Sequence, residues 1–258
     1  MTVMINNEKK KNEYSLTKYH FWVDDQILEM PKYKNYETNS HGYRCPEFSP
    51  LPDGGKNVVV LGCSHTFGEG LEEHETWVSI LKKEHARVST PRDAMLRWWN
   101  LAYPGASGDF MARVLYGTEK TLFPKLIICC WPVFSRRERL EYPGYPTSLV
   151  GGHEYLRYEN YITDQHNFKK NLFLVEKFAD HNGAKVFHCF ADQNYRRIKT
   201  KHFLYNEQSL RSCWPLWDRD KREEDRTPDF ASDGRHFGVN HHRTFARHLL
   251  NAWSTKLK

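Results

Sequence analysis

Apolar residues in this chain are concentrated in short runs separated by polar stretches, and the runs at 58–61 and 126–131 contain no polar position that would mark a solvent face. Runs of this length, rich in Val and Ile, read as strands buried on both faces, as in a parallel sheet. Segments 98–102 and 185–191 read as two further strands. Between them the apolar period lengthens. At 76–83, Trp77, Ile80, Leu81 and Glu84 fall at helical spacing, and 109–116 follows the same pattern. A helix is expected at 168–182, stopped by Gly183, and another at 239–257 with Phe245, Leu249, Leu250 and Trp253 on one face.

Alternating strands and helices predict an α/β fold, a three-layer α/β/α sandwich. One domain is expected at 51–258, preceded by a polar N-terminal arm at 1–50, with inserts near 132–165 and 192–232. The first insert carries Pro143, Gly144, Pro146, Gly151 and Gly152 and reads as a long irregular excursion of the kind that forms lids and binding loops. The second is polar and takes no assignment.

Composition narrows the class. With 39% hydrophobic and 14% aromatic residues the chain has enough apolar surface to fold rather than stay disordered. No apolar run approaches the roughly 20 residues of a membrane span, and the N-terminus lacks an apolar signal segment, so a cytoplasmic protein is expected. The six cysteines fall partly in the core runs and read as reduced, buried thiols; without zinc-type spacing, no metal and no cofactor is expected. The net charge of +6 invites an anionic partner, but the basic stretches at 136–139 and 218–226 interleave acids and read as solvated surface, which argues against nucleic acid. The sequence assigns no oligomeric state.

Chemistry enters where the first core run ends, at Gly62-Cys63-Ser64-His65-Thr66-Phe67-Gly68-Glu69-Gly70. A strand followed by a tight turn presents the Ser64 hydroxyl at the carboxyl edge of a sheet, where α/β proteins gather their sites. A neutral hydroxyl needs a base and a group to orient that base. Asp233-Gly234-Arg235-His236 offers both, with His236 as base and Asp233 as orienter. Backbone N–H groups of Ser64 and Gly105, each following an expected strand, are candidate donors to an oxyanion. A blander reading stands beside each. Ser64 can be turn chemistry, Asn100 a strand-end strut rather than a substrate contact, His65 a supporting neighbour, and Trp131 core rather than pocket wall.

Taken in order, these segments resemble the SGNH/GDSL hydrolases. Residues 62–68 resemble the first sequence block of that family, Asn100-Leu101-Ala102-Tyr103-Pro104-Gly105-Ala106-Ser107 the second, and Asp233-Gly234-Arg235-His236 the Asp-x-x-His block. The resemblance implies a flavodoxin-like parallel sheet of about five strands, with Ser64 as nucleophile, His236 as base and Asp233 as orienter. Two positions depart from the family pattern. Cys63 replaces the aspartate outside the triad, and the stretch after 126–131 reads Trp131-Pro132-Val133-Phe134-Ser135-Arg136, without the asparagine that donates to the oxyanion. Arg136, or Ser135, is the expected substitute. The resulting expectation is a serine-dependent hydrolase that removes a small acyl group from a small-molecule or glycan ester. The rivals are an O-acyltransferase using the same triad and a catalytically impaired binding module for an anionic glycan, nucleotide or nucleic acid.

Overall fold

The computed structural model describes residues 32–33, 35–49, 55–88, 96–119, 121–141, 145–149, 160–192, 200, 202–205, 209–211 and 229–256. Five parallel strands form the central sheet: β1 (Lys56–Leu61), β2 (Leu96–Asn100), β3 (Leu126–Trp131), β6 (Lys185–Phe190) and the two-residue β7 (Phe203–Leu204), in the spatial order β2-β1-β3-β6-β7. This is the flavodoxin-like order that the sequence resemblance implied.

The buried runs explain why these segments are strands. Val58 to Leu61 have no exposed surface, and Val58 pairs with Trp98 on one side and Leu126 on the other. A strand flanked on both sides and covered on both faces leaves no place for a polar side chain. Because the chain leaves β1 for β2 on one flank and then crosses to β3 on the other, the carboxyl end of β1 lies at the switch point of the sheet, where a crevice opens. Ser64 follows that end directly.

Two helix pairs cover the sheet. Helix α2 (Trp77–Val88) packs on α5 (Val239–Lys256), and α3 (Gly108–Gly117) packs on α4 (Tyr161–Asn182). Trp77 meets Phe245 edge-on at 5.5 Å and Tyr116 meets Phe178 at 5.3 Å, so large rings fill each layer contact. A single helical turn, α1 (Ser64–Phe67), joins β1 to the α2 side.

Two expectations are corrected. Helix α4 begins at Tyr161, not at 168, because Asn160 caps it: its side chain accepts from the N–H groups of Ile162 and Thr163, while the Thr163 hydroxyl accepts from the Asn160 N–H. The cap sets the start, and the apolar stripe begins only at the next turn. The excursion at 132–165 also contains regular structure, an antiparallel hairpin of β4 (Arg137–Glu141) and β5 (Tyr145–Leu149). Its charged residues hide the alternation, and ion pairs fix it: Glu138 takes a forked bond from Arg113 of α3, and Arg137 bonds Asp164 of α4 at 2.7 Å. Residues 1–31 of the expected arm and most of the 192–232 insert lie outside the described residues. Among the described residues, no helix is long and apolar enough to cross a membrane.

Candidate active site

The Asp233–His236 segment is a tight turn that the sequence encodes locally. Gly234 adopts φ +67°, the Gly234 N–H bonds the Ala231 carbonyl, and the Ala231 N–H bonds the His236 carbonyl at 2.9 Å. Asp-Gly favours such a reversal. Within it, Asp233 Oδ1 accepts from the backbone N–H groups of Arg235 and His236 at 2.9 and 3.0 Å, and Oδ2 meets His236 Nδ1 at 2.5 Å. Burial pushes the Asp233 carboxyl up, but the two N–H groups and the imidazole outweigh it and hold the acid below the ordinary carboxylate range.

Contacts on two sides seat this turn on the serine loop. Gly70 accepts from the Ser232 N–H and hydroxyl, at 3.0 and 2.7 Å. Gly70 has φ +80°, and a Cβ there would lie 2.7 Å from the Ala231 Cβ and about 3 Å from the Asp233 carboxyl, so the loop can approach only without a side chain. The His236 ring sits 5.1 Å from the ring of His65, which itself stacks on Phe237 at 4.5 Å. The candidate base and its orienter are thereby brought to the residue that follows Ser64.

The serine turn is built for close approach. Ser64 opens α1, is 4% exposed, and its carbonyl accepts from the N–H groups of both Gly68 and Glu69. No hydrogen bond joins Ser64 Oγ to His236. Instead His236 Nε2 faces Glu69 Oε2 at 3.5 Å, beyond ordinary hydrogen-bond length. Catalytic contacts of this kind are often loose until substrate binds.

Comparison with known proteins bears on the fold. No protein-family model matches the sequence, and no curated protein is significantly similar to it. Among solved structures, TesA superposes with a TM-score of 0.51 at 15% identity, over 78% of this chain and 99% of that one. LAE5, an α/β hydrolase enzyme from the metagenome of Lake Arreo, Spain, gives 0.50 at 12% identity, over 78% and 95%. A member of the lipolytic protein G-D-S-L family from Veillonella parvula DSM 2008 gives 0.46 at 12% identity, over 78% and 99%. The likeness to TesA and LAE5 is one of fold, a parallel sheet covered by helices.

On this fold the remaining candidate residues fall as follows. Gly105 occupies the third position of a type II turn, Tyr103-Pro104-Gly105-Ala106, with φ +78° and an Ala106 N–H to Tyr103 carbonyl bond of 3.0 Å. Neither its N–H nor that of Ser64 is paired with a described residue. Arg136 reaches back from the loop after β3: its Nη1 donates to the Ala106 carbonyl at 3.4 Å, its guanidinium lies against the Cys63 thiol, and its buried Nε has no hydrogen-bond partner. Ser135 precedes it in the same loop, with no hydrogen bond to the turn.

Three candidate substrate contacts sit deeper. Asn100 bridges backbone to backbone, donating to the Thr66 carbonyl and accepting from the Ala102 N–H, and so ties α1 to the end of β2. His65 is packed between rings; burial, then the charges of His236 and Arg136, drive its imidazole down to about 3, so it stays neutral. Trp131 is 1% exposed and donates to His188 Nδ1 at 3.1 Å, forming the floor of a small pocket shared with Phe134, Arg136 and Phe168.

Residues that sequence reasoning passed over hold the loop in place. Arg44, from the expected polar arm, is buried and donates to the carbonyls of Phe67, Gly68 and Leu71, with its guanidinium 4.7 Å from the Tyr36 ring centre. The Tyr33 hydroxyl donates to Glu69 Oε1 and the Tyr36 hydroxyl accepts from the Gly70 N–H, both at 2.7 Å. Glu69, Asp233 and His236 also form a group whose donor atoms lie within 4.8 Å of one another.

Proposed function

We propose that this chain is a serine-dependent ester hydrolase of the SGNH/GDSL kind, which removes a small acyl group from a polar substrate. The observation that carries this reading is the preformed Asp233–His236 pair, its imidazole set against the Ser64 turn at the switch point of the sheet. Ser64 Oγ attacks the ester carbonyl carbon and its proton passes to His236 Nε2. The bond to the alcohol oxygen breaks, and Nε2 returns that proton to the departing oxygen. Water then attacks the acyl-serine, with His236 Nε2 taking its proton, and as the bond from the acyl carbon to Oγ breaks Nε2 gives that proton to Ser64 Oγ and the acid leaves.

Charge developing on the carbonyl oxygen is met by the N–H groups of Ser64 and Gly105, with the Arg136 guanidinium supplying the positive partner that the family draws from an asparagine. Arg136 is already committed to this side of the site by its bond to Ala106 and its contact with Cys63.

The deciding experiment pairs Ser64→Ala with a fluorophosphonate probe. Wild-type protein is expected to be labelled at Ser64 and to hydrolyse a short-chain acetate ester, whereas Ser64→Ala loses both and keeps its unfolding midpoint. Undiminished hydrolysis by the variant would sink the assignment. Absence of labelling, together with salt-sensitive polyanion binding, would favour the binding module.

A further inference from the structure

We infer that Glu69 selects the alcohol half of the substrate, and that the enzyme takes esters whose alcohol carries a free hydroxyl on the carbon next to the esterified one. This inference rests on the ester hydrolase reading above.

It follows from where the alcohol must leave. His236 Nε2 has to lie within hydrogen-bond reach of the departing oxygen, because it returns the proton. Glu69 Oε2 is 3.5 Å from that same nitrogen. The carboxylate oxygen is therefore within about 6.5 Å of the departing oxygen once a hydrogen bond of about 3 Å joins it to Nε2. A hydroxyl on the adjacent carbon spans that gap.

The carboxylate is also held in place rather than free to swing. Its backbone N–H bonds the Ser64 carbonyl, which fixes Glu69 to the nucleophile's own residue. Its Oε1 accepts from Tyr33, whose phenol stays protonated because burial and then the Glu69 bond push it well above its ordinary value. The Glu69 side chain is 22% exposed, so Oε2 is reachable from the crevice. An ionised carboxylate only accepts, and what it lacks on Oε2 is a donor.

Two donor types fit a carboxylate, an ammonium and a hydroxyl. The surroundings favour the hydroxyl. Arg136 acts on the neighbouring His65 as a positive charge, and His236 itself is an imidazolium when the alcohol departs. A cationic alcohol would have to accept its proton from that imidazolium and add a further positive charge beside it. An alcohol bearing phosphate on that carbon would instead be repelled by Glu69.

The experiment compares glycerol 1-acetate, which has the neighbouring hydroxyl, with propyl acetate, which lacks it. For the wild type, the ratio of kcat/KM values is expected to favour glycerol 1-acetate by about tenfold or more, as loss of a hydrogen bond to a charged group implies. In Glu69→Gln, which keeps the size of the side chain and an acceptor for Tyr33, the ratio is expected to fall to about threefold, and in Glu69→Ala to about one. A wild-type ratio near one, or the same ratio in all three proteins, would overturn the inference while leaving the ester hydrolase reading intact. No reaction of the wild type with either ester, and no fluorophosphonate label, overturns that reading and the inference with it.

Discussion

At the scale of single residues, the site joins a local device to two long-range ones. Asp233 and His236 need only their own turn to find each other, whereas Ser64 and Arg136 reach them through the sheet. Asp233→Asn keeps the shape of the turn but removes the charge that holds Nδ1–H and balances the imidazolium. A fall in kcat of about 10⁴-fold is expected, measured on a short-chain acetate. Arg136→Ala tests the oxyanion assignment, with an expected loss of about 10²–10³-fold in kcat and little change in KM, because the charge acts on the transition state. A change confined to KM would place Arg136 in ground-state binding instead. Both pairs of residue types were legible in the sequence, since an acid and an imidazole three apart across Asp-Gly, and a serine after a buried run, each carry their chemistry in the residue names. Glu69 was not. Its significance depends on which nitrogen of His236 it faces, and spacing along the chain does not encode that.

At the scale of elements, the loop from α1 to Leu71 is clamped from outside. Arg44 satisfies three of its carbonyls and stacks on Tyr36 and Phe67. Arg44→Ala leaves those acceptors without a partner, and a loss of stability of about 2–3 kcal/mol is expected by urea denaturation, accompanied by lower activity as Glu69 loses its fixed position. Sequence reading recovers elements where one pattern dominates and misses them where two compete. Strand β3 and the Val58–Leu61 part of β1 are apolar throughout, and both strands were legible within a residue or two. The β4–β5 hairpin was not, because ion pairs to Arg113 and Asp164 replace the apolar face that would have revealed it. Arg44 was read as part of a polar arm because its role is to hydrogen-bond backbone carbonyls, which leave no trace in the pattern of side chains.

At the scale of the whole molecule, two helices distant in the chain lock through a buried histidine. The Trp77 N–H, at the start of α2, donates to His242 Nδ1 of α5 at 2.9 Å, and burial pushes that imidazole down to about 3. The folded protein thus keeps His242 neutral at pH values where the unfolded chain, with an ordinary pKa near 6.5, takes up a proton. The contribution is fully present above pH 6.5 and is lost as pH falls from there towards 3. His242→Asn places an amide oxygen close to the position of Nδ1 and removes the titration. Between pH 6 and 4 its stability is expected to fall less steeply than that of the wild type, by about 1.4 kcal/mol per pH unit, in urea titrations at fixed salt.

The order of the sheet also sets when reactivity can arise. Domains form as the chain is synthesised from its N-terminus. The strand that presents Ser64 is made early, while its proposed base belongs to a turn near residue 236 that is made late and seats on Gly70. A nascent chain therefore carries the serine for most of its synthesis as an inert hydroxyl. On the proposed mechanism the serine gains its base only when the Asp233–His236 turn docks, so an incomplete chain holds the nucleophile without its partner.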